Sequence, residues 1–361
     1  MFRIRLSESA MPTGSKDPDV LLAWLLDSMG LVRRKSEGMS VDDEQGALHR
    51  LMRETLLSEP LKGWDTKSLG DASGLSQTGM HHQLVKLRES GLVAAETEGR
   101  WHIHVLRGGS ISAAVDLVSV QARAILDLRL SEVAERVTES DDRMVIPSED
   151  GDGGFQIEIA EPGATVEGED RLDALMRDLG LNGERGKHND RLARQLFEEI
   201  SSSGRATTLL ALADKTGDSR SRVQRAVERM RAAGIAERVP MLDRIAQDVY
   251  AGLMRQHNAR GEEWLMTRGG LGRLDESVSK SLIAGVRKKS LNIEKVQDIL
   301  APVPLDAQRV LLNTLGGRMP YGIRISGRDG AAVKERVMRQ ADRTLRRLRT
   351  VAQRLDESLA S

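Results

Sequence analysis

The chain has 361 residues, of which 39% are hydrophobic and 30% charged, a composition typical of globular domains rather than disordered chains. Lysine and arginine total 54, and aspartate and glutamate also total 54, so the chain has no overall basic excess that would indicate nucleic-acid binding. Cysteine is absent, which excludes disulfides and cysteine-ligated metal sites, and the longest apolar run, Val20 to Leu26, is too short to span a bilayer. These features predict a mainly α-helical, cytoplasmic protein of several domains with no membrane partner.

The first segment, residues 1–46, is predicted to hold a short amphipathic helix over residues 18–36, followed by a polar linker. Residues 47–110 are predicted to form a compact module, described below. Residues 111–137 contain no glycine or proline and repeat apolar residues at spacings of three and four, which predicts one long helix. We expect this helix to mediate dimerisation.

Residues 138–186 form an acidic segment, with fourteen acidic and four basic residues. Within it, residues 144–146 and 155–159 flank a glycine-rich acidic stretch, which predicts a small β-hairpin. The turn resembles a calcium loop, but Phe155 stands where such a loop needs glycine for its sharp bend. The preferred interpretation is an acidic surface turn.

Residues 187–256 are predicted to form a second helical module, and residues 257–330 a helical domain to which the sequence assigns no chemistry. In residues 331–361, apolar side chains repeat with a heptad pattern over about three heptads. Such a stripe suits either a homodimer seam or a helix docked on its own chain. The same region is basic, with eleven basic and three acidic residues between Arg318 and Arg354.

Two segments match at a fixed offset of 143 residues. LGDASGLSQTGM, Leu69 to Met80, aligns with LADKTGDSRSRV, Leu212 to Val223, and the match continues without a gap for twelve residues more, to Leu92 and Ile235. In each copy a glycine is predicted to permit a left-handed turn between two helices, and a serine to begin the second helix. These residues are Gly74 and Ser76 in the first copy, and Gly217 and Ser219 in the second.

The first copy is followed by a strand pattern, with alternation over Trp101 to Val105, so the predicted order is helix, helix, helix, strand, strand. Through LGDASGLSQTGMHHQLVKLRESGLV, Leu69 to Val93, residues 47–107 resemble a winged helix-turn-helix domain of the ArsR and MarR type. This resemblance covers about a sixth of the chain. The second copy, about Asp190 to Val239, resembles the same unit, but the sequence after Pro240 predicts a helix rather than a β wing.

Helical periodicity with Met80 inward predicts which side chains each second, or recognition, helix would present to a DNA major groove. Gln77 suits adenine and Thr78 a thymine methyl, whereas Lys86 and Arg88 would reach phosphates. The resemblance implies that Arg100, in the wing, approaches the minor groove or the backbone. The predicted DNA-binding residues of the first copy are Ser76, Gln77, Thr78, His81, His82, Lys86, Arg88 and Arg100. Those of the second copy are Arg220, Ser221, Arg222, Gln224, Arg225 and Arg229, which make it the stronger electrostatic candidate.

His102 and His104 are two apart on a predicted strand, and proteins of the ArsR type include metal sensors. Because the usual cysteine ligands are missing, the preferred interpretation is solvated or phosphate-contacting histidines, and no metal or cofactor is predicted. No HExxH, Gly-x-Ser-x-Gly or Walker motif occurs, so we interpret the chain as non-enzymatic.

The leading hypothesis is sequence-specific binding of double-stranded DNA by a transcriptional regulator. We expect a homodimer formed through the two long helices, and salt-sensitive binding through Arg220, Arg225, Arg229 and the C-terminal arginines. The alternative is an architectural or chromosome-segregation protein that uses its winged helices to contact a protein partner. In the segregation and condensation protein B family, tandem winged helices bind a partner protein. The acidic segment and the neutral net charge favour this alternative.

Overall fold

The structure, a computed structural model, describes residues 1–32, 46–98, 101–146, 148, 154–164, 167–183 and 191–361. It is mainly α-helical, with small antiparallel sheets and a long C-terminal helix, as the sequence predicts. The predicted acidic turn and the wing residue Arg100 lie outside the described residues.

The N-terminal half contains the two helices of the first helix-turn-helix and a three-stranded sheet. In chain order its elements are β1 (Arg3–Ser7), α1 (Pro18–Ser28), α2 (Ala47–Leu51), β2 (Trp64–Asp65), α3 (Thr66–Ser73), α4 (Gln77–Glu89), β3 (Val93–Glu98), β4 (Trp101–Leu106) and α5 (Ile111–Ala134). A π-helical turn, Met52–Leu56, extends α2, and β4 lies between β2 and β3 in the antiparallel sheet. Three helices are therefore followed by a pair of antiparallel strands of this sheet.

The C-terminal half repeats this order around an insertion. Its elements are β5 (Gln156–Ala160), α6 (Arg171–Asp178), α7 (Leu192–Ser202), α8 (Leu209–Thr216), α9 (Arg220–Ala232), β6 (Ala236–Pro240), α10 (Leu242–Thr267), α11 (Glu276–Arg287), α12 (Ile293–Leu300), α13 (Leu305–Thr314), β7 (Tyr321–Ile325) and α14 (Gly330–Leu359). Helices α10 to α13 enclose a hydrophobic core of their own, whereas the rest of the chain shares a second core.

The second helix-turn-helix has a β wing, contrary to the expectation from its sequence. Helix α10 does follow Pro240, but β6 pairs antiparallel with β7, which returns only after the inserted helices. The wing is hidden from sequence reasoning because its two strands are far apart along the chain. The predicted boundary at residue 256 falls inside α10.

The predicted hairpin in the acidic segment is also wrong in its pairing. The strand itself forms, as β5, but its partner is β1 at the start of the chain rather than residues 144–146. Residues 141–144 form a short 3-10 turn instead. Local alternation predicts a strand, but it gives no information about a partner that is distant in sequence.

The heptad stripe of α14 is buried within the same chain. Met338, Ala341, Leu345, Leu348 and Leu355 are all at most 8% exposed, and α14 packs against α5 and α1. Of the two alternatives that the sequence leaves open, the structure therefore has the helix docked on its own chain. The two elements from which a homodimer was expected cover each other's apolar faces.

The repeat extends beyond the helix-turn-helix units to the elements on either side. In each half a strand and a helix come first, then the helix-turn-helix with its strands, and then a long helix. The caps of the long helices match as well. Ser110 accepts a hydrogen bond from the Ala113 N–H at the start of α5, and Asp329 accepts one from the Ala332 N–H at the start of α14.

The first strands of the two halves pair with each other. FRIRLS, Phe2 to Ser7, corresponds to FQIEIA, Phe155 to Ala160, so Arg5 and Glu158 are equivalent positions. These two residues lie directly opposite each other in the antiparallel pair, with Arg5 Nη2 3.4 Å from Glu158 Oε2. Such a register is the one that two strands related by a two-fold axis adopt.

The long helices obey the same symmetry. Counted from the caps Ser110 and Asp329, Arg123 of α5 is equivalent to Asp342 of α14, and Arg123 Nε lies 3.0 Å from Asp342 Oδ1. The flanking contacts, Asp116 with Arg349 and Ser131 with Lys334, are placed symmetrically about this pair. An approximate two-fold axis therefore relates the two halves of one chain.

Candidate nucleic-acid interface

The first helix-turn-helix is fixed by side-chain caps at both helices. Asp65 Oδ1 accepts from the Lys67 and Ser68 N–H groups at 2.8 and 3.0 Å and begins α3. Hydrogen bonds from the Ser68 hydroxyl and N–H lower the pKa of the Asp65 carboxyl. At the turn Gly74 has φ +66°, a left-handed conformation that favours glycine. Ser76 Oγ then accepts from the Gly79 N–H at 3.2 Å and begins α4, as the sequence predicts.

Helix α4 turns its apolar side inward and its polar side toward solvent. Met80, Leu84 and Leu87 are buried. The predicted base-reading residues Gln77, Thr78, His81 and His82 are exposed, as are Ser76 and Arg88, while Lys86 is half-buried. Among the described residues, no ion pair engages these side chains. The N-terminal half of α4 therefore presents a row of accessible hydrogen-bonding groups.

Helix α9 repeats this geometry with arginines. Val223, Val227 and Met230 are buried. Gly217 has φ +68° at the turn, and Ser219 is the N-cap residue, although its hydroxyl makes no cap bond. Five of the predicted residues are exposed, and the sixth is half-buried; the exposed ones are Arg220, Ser221, Arg222, Gln224 and Arg225.

The arginines of α9 differ in how far the chain itself engages them. Arg222 forms an ion pair with Asp218 one turn earlier. The half-buried Arg229 donates from Nε to the Leu181 carbonyl at 2.7 Å, which fastens α9 to the segment after α6. Arg220 and Arg225 have no hydrogen-bond or ion-pair partner within the part of the chain that the structure describes. We therefore regard Arg220 and Arg225 as the arginines best placed to contact a ligand.

Several of the C-terminal arginines pair with acidic side chains of other elements. Their partners lie mostly far away in sequence: Arg324 and Arg336 pair with Glu237, Arg343 and Arg347 with Glu8, and Arg349 with Asp116. Of these, Arg324 and Glu237 are both buried. We therefore assign these arginines to the stability of the fold rather than to the phosphate binding expected from their sequence.

A cleft of about 2190 Å³ lies between the two recognition helices. Lys86 and Glu89 of α4 line one side, Arg225 and Glu228 of α9 line the other, and strands β1 and β5 contribute residues between them. Among the described residues, eight basic and eight acidic side chains line the cleft. Its electrostatic character is therefore mixed, unlike that of the exposed N-terminal ends of the helices.

The two histidines of β4 are in different environments. His102 is exposed, whereas His104 is only 3% exposed and its Nδ1 atom has no hydrogen-bond partner. Burial lowers the pKa of His104 below 6.5, and the charges of Arg88 and His102 lower it further. Within the described residues, no group of three His, Asp or Glu side chains is placed to hold a metal ion.

His104 predicts a dependence of stability on pH. Because its pKa is lowered in the folded state, the unfolded chain takes up the proton first as the pH falls below 6.5. The contribution of His104 to the free energy of unfolding is therefore fully present above pH 6.5, and it is lost progressively as the pH falls. We expect His104→Leu to lose less unfolding free energy than the wild type between pH 7 and pH 5, as measured by urea denaturation. His81→Gln is the matched control, because His81 is an exposed histidine outside β4. An equal dependence of the unfolding free energy on pH for His104→Leu and the wild type would contradict the prediction.

Comparison with known proteins gives no relative from which a function could be inferred. No family model, no curated protein and no solved structure matches this chain. In the described residues, none of the helices combines the length and the apolar composition that a membrane span needs. Functional inference therefore depends on the geometry of the recognition helices.

Proposed function

We propose that this protein binds double-stranded DNA with sequence preference and acts in the cytoplasm as a transcriptional regulator. The observation on which the proposal rests is that two helix-turn-helix units each present the N-terminal half of the recognition helix to solvent. A helix of this kind fits the major groove, where its first turns reach base edges. No enzymatic step and no cofactor is part of the proposal.

The chemistry of the exposed groups suits base recognition. On α4, Gln77 matches the paired donor and acceptor of adenine, and Thr78 has a methyl group for thymine. On α9, Arg220 and Arg225 match the two acceptors of guanine or adjacent phosphates. Lys86 and Arg88 are placed farther along α4, where phosphate contacts would fix the position of the helix.

Duplex binding is expected to depend on Arg220 and Arg225. The double variant Arg220→Gln, Arg225→Gln should bind a duplex selected from a random library at least about tenfold more weakly, because one good bidentate contact alone contributes about 1–3 kcal/mol. Its affinity should also fall less steeply with salt, since fewer counterions are released. Fluorescence anisotropy at several salt concentrations measures both effects.

The matched control is Arg287→Gln, Arg339→Gln, which removes the same charge from exposed positions outside both recognition helices. Equal affinities for the two double variants would show that α9 makes no specific contact. Failure of the wild type to bind any duplex at low salt would overturn the proposal.

A second candidate function is suggested by the mixed charge of the cleft. Balanced basic and acidic side chains favour a protein partner over a polyanion, which fits the architectural or chromosome-segregation alternative. Binding of a protein partner through the cleft would depend on Lys86, Glu89 and Glu228 rather than on the ends of the helices. Charge reversal at Glu89 and Glu228 that abolishes partner co-purification but leaves duplex affinity unchanged would favour this alternative.

A further inference from the structure

We propose that a single chain recognises one asymmetric DNA site composed of two unlike half-sites. This inference rests on the proposed function, since it specifies which duplex the two recognition helices bind. Its starting point is the approximate two-fold axis inside the chain. Two-fold DNA-binding proteins place two recognition helices on one face of a duplex, and here one polypeptide supplies both.

The elements that hold the halves together are already paired within the chain. Strand β1 pairs with β5, and α5 packs on α14, so the symmetric contacts of a dimer are made between two parts of one polypeptide. The apolar stripe of α14 is buried in that contact. A second copy of the chain is therefore not required to complete a pair of recognition helices.

The residues on the axis favour pairing between unlike halves. In a symmetric homodimer, a residue on the axis meets its own copy, so a charge there meets a like charge. In this chain the axial positions hold opposite charges: Arg5 faces Glu158, and Arg123 faces Asp342. A first half paired with a copy of itself would bring arginine against arginine at both places, which disfavours that assembly.

The two recognition helices differ at equivalent positions on their exposed ends. The equivalent pairs, first copy and then second, are Gln77 and Arg220, Thr78 and Ser221, His81 and Gln224, and His82 and Arg225. Glutamine suits adenine, whereas arginine suits guanine, so identical half-sites cannot satisfy both helices equally well. The preferred site should therefore have two unlike halves. One half contains an A·T pair, which α4 contacts, and the other half contains guanine, which α9 contacts; the first is called the A·T-preferring half below.

The inserted helices make the two halves of the chain structurally different, so the direction in which the chain lies on the DNA matters. Helices α10 to α13 interrupt only the second wing, between β6 and β7. A site with two unlike halves fixes the direction in which the chain lies on the duplex. It therefore places the inserted domain on one defined side of the site.

Selection from a random duplex library with the full-length protein tests this inference, with the mass of the complex measured in parallel. We expect a non-palindromic motif of two unlike halves and one chain per duplex. Replacing the A·T-preferring half by a second, inverted copy of the other half should weaken wild-type binding at least about tenfold, the loss expected from one lost base contact.

A helix graft makes the prediction more specific. The variant Gln77→Arg, Thr78→Ser, His81→Gln, His82→Arg gives α4 four of the exposed residues of α9, and all four positions are exposed on the surface. This variant should prefer the inverted repeat over the natural site, again by at least about tenfold. A palindromic wild-type motif, or two chains on each site, would overturn the inference and leave duplex binding intact. Selection of no duplex at all would overturn the proposed function itself, and this inference with it.

Discussion

Replacing Arg143 with methionine is expected to lower the free energy of unfolding by at least about 2 kcal/mol, because two carbonyls lose the donors that the described residues give them and each buried unpaired group costs about 1–3 kcal/mol. These are the carbonyls of Thr138 and Ser203, whereas those of Ser201 and Arg328 also accept from the N–H groups of Thr138 and Ser140. The side chain is fully buried, and its five N–H groups all donate to main-chain oxygens. These oxygens belong to Thr138, Ser201, Ser203 and Arg328. Arg143 thereby joins the linker after α5 to the end of α7 and to the turn before α14.

Urea denaturation of Arg143→Met measures this loss. Arg136→Met is the control, since Arg136 is an exposed arginine in the turn that follows α5. A surface substitution of this kind changes stability by no more than about 0.5 kcal/mol. If Arg143→Met proved as stable as the control, the carbonyls would have to be satisfied in some other way, and the role assigned to Arg143 would be wrong.

The choice of arginine at this position follows from its charge and its donors. Burial lowers the pKa of the Arg143 guanidinium, and the positive charge of Arg324 lowers it further. An arginine remains protonated at neutral pH in spite of such shifts, whereas a buried lysine loses its proton readily. A lysine also has only three donors for the four oxygens. Arg143→Lys is therefore expected to be intermediate in stability between the wild type and the methionine variant.

The parts of the fold that could be predicted are those specified by neighbouring residues. Gly74 and Ser76 lie within three residues of each other, and each has a local role: one permits the left-handed turn and the other caps α4. Helical spacing likewise predicts that Met80 and Leu84 face the core. The long helices follow from the absence of glycine and proline over more than twenty residues.

The parts that could not be predicted depend on residues far apart in the chain. The partner of β5 is at the N-terminus, and the second strand of the second wing follows the inserted helices. The wider repeat is also obscured, because α1 has 11 residues and its counterpart α6 has 8, so no single offset aligns the halves. The two-fold symmetry depends on the pairs Arg5–Glu158 and Arg123–Asp342, whose members are more than 150 residues apart in the chain.

In the candidate interface too, the features that depend on one helix could be predicted from the sequence, and those that depend on distant residues could not. Periodicity predicts which side chains of α9 leave the core, since this depends only on the helix itself. It does not predict that Arg229 donates to the Leu181 carbonyl, or that Arg343 and Arg347 both contact Glu8, because these partners come from other elements. The number of available cations is therefore smaller than the sequence suggests, and the ends of the two helices gain importance.

We expect the antiparallel pair α5 and α14, which joins the two halves, to set the spacing of those helix ends. At one end of this pair, Gly330 lies against the backbone of Ala134. A Cβ atom on Gly330 would lie 2.6 Å from both the Cα and the carbonyl carbon of Ala134, and neither atom can move without shifting the backbone of α5. We expect Gly330→Ala to destabilise the protein by about 3 kcal/mol, the upper end of the range for overpacking. Alanine is otherwise a better helix former than glycine, so a loss of stability in Gly330→Ala would be due to the close contact with α5.

Gly46→Ala is the matched control, since a Cβ atom there would meet no other atom within 4 Å. Urea denaturation should show little change for Gly46→Ala and a large loss for Gly330→Ala. If enough Gly330→Ala protein remains folded at low temperature, the separation of its two recognition helices should also be altered. Its affinity for the complete site should then fall more than its affinity for a single half-site, because only the complete site requires both helices at a fixed distance. Equal losses on the two duplexes, or a stable variant, would show that this helix crossing does not set the distance between the two recognition helices.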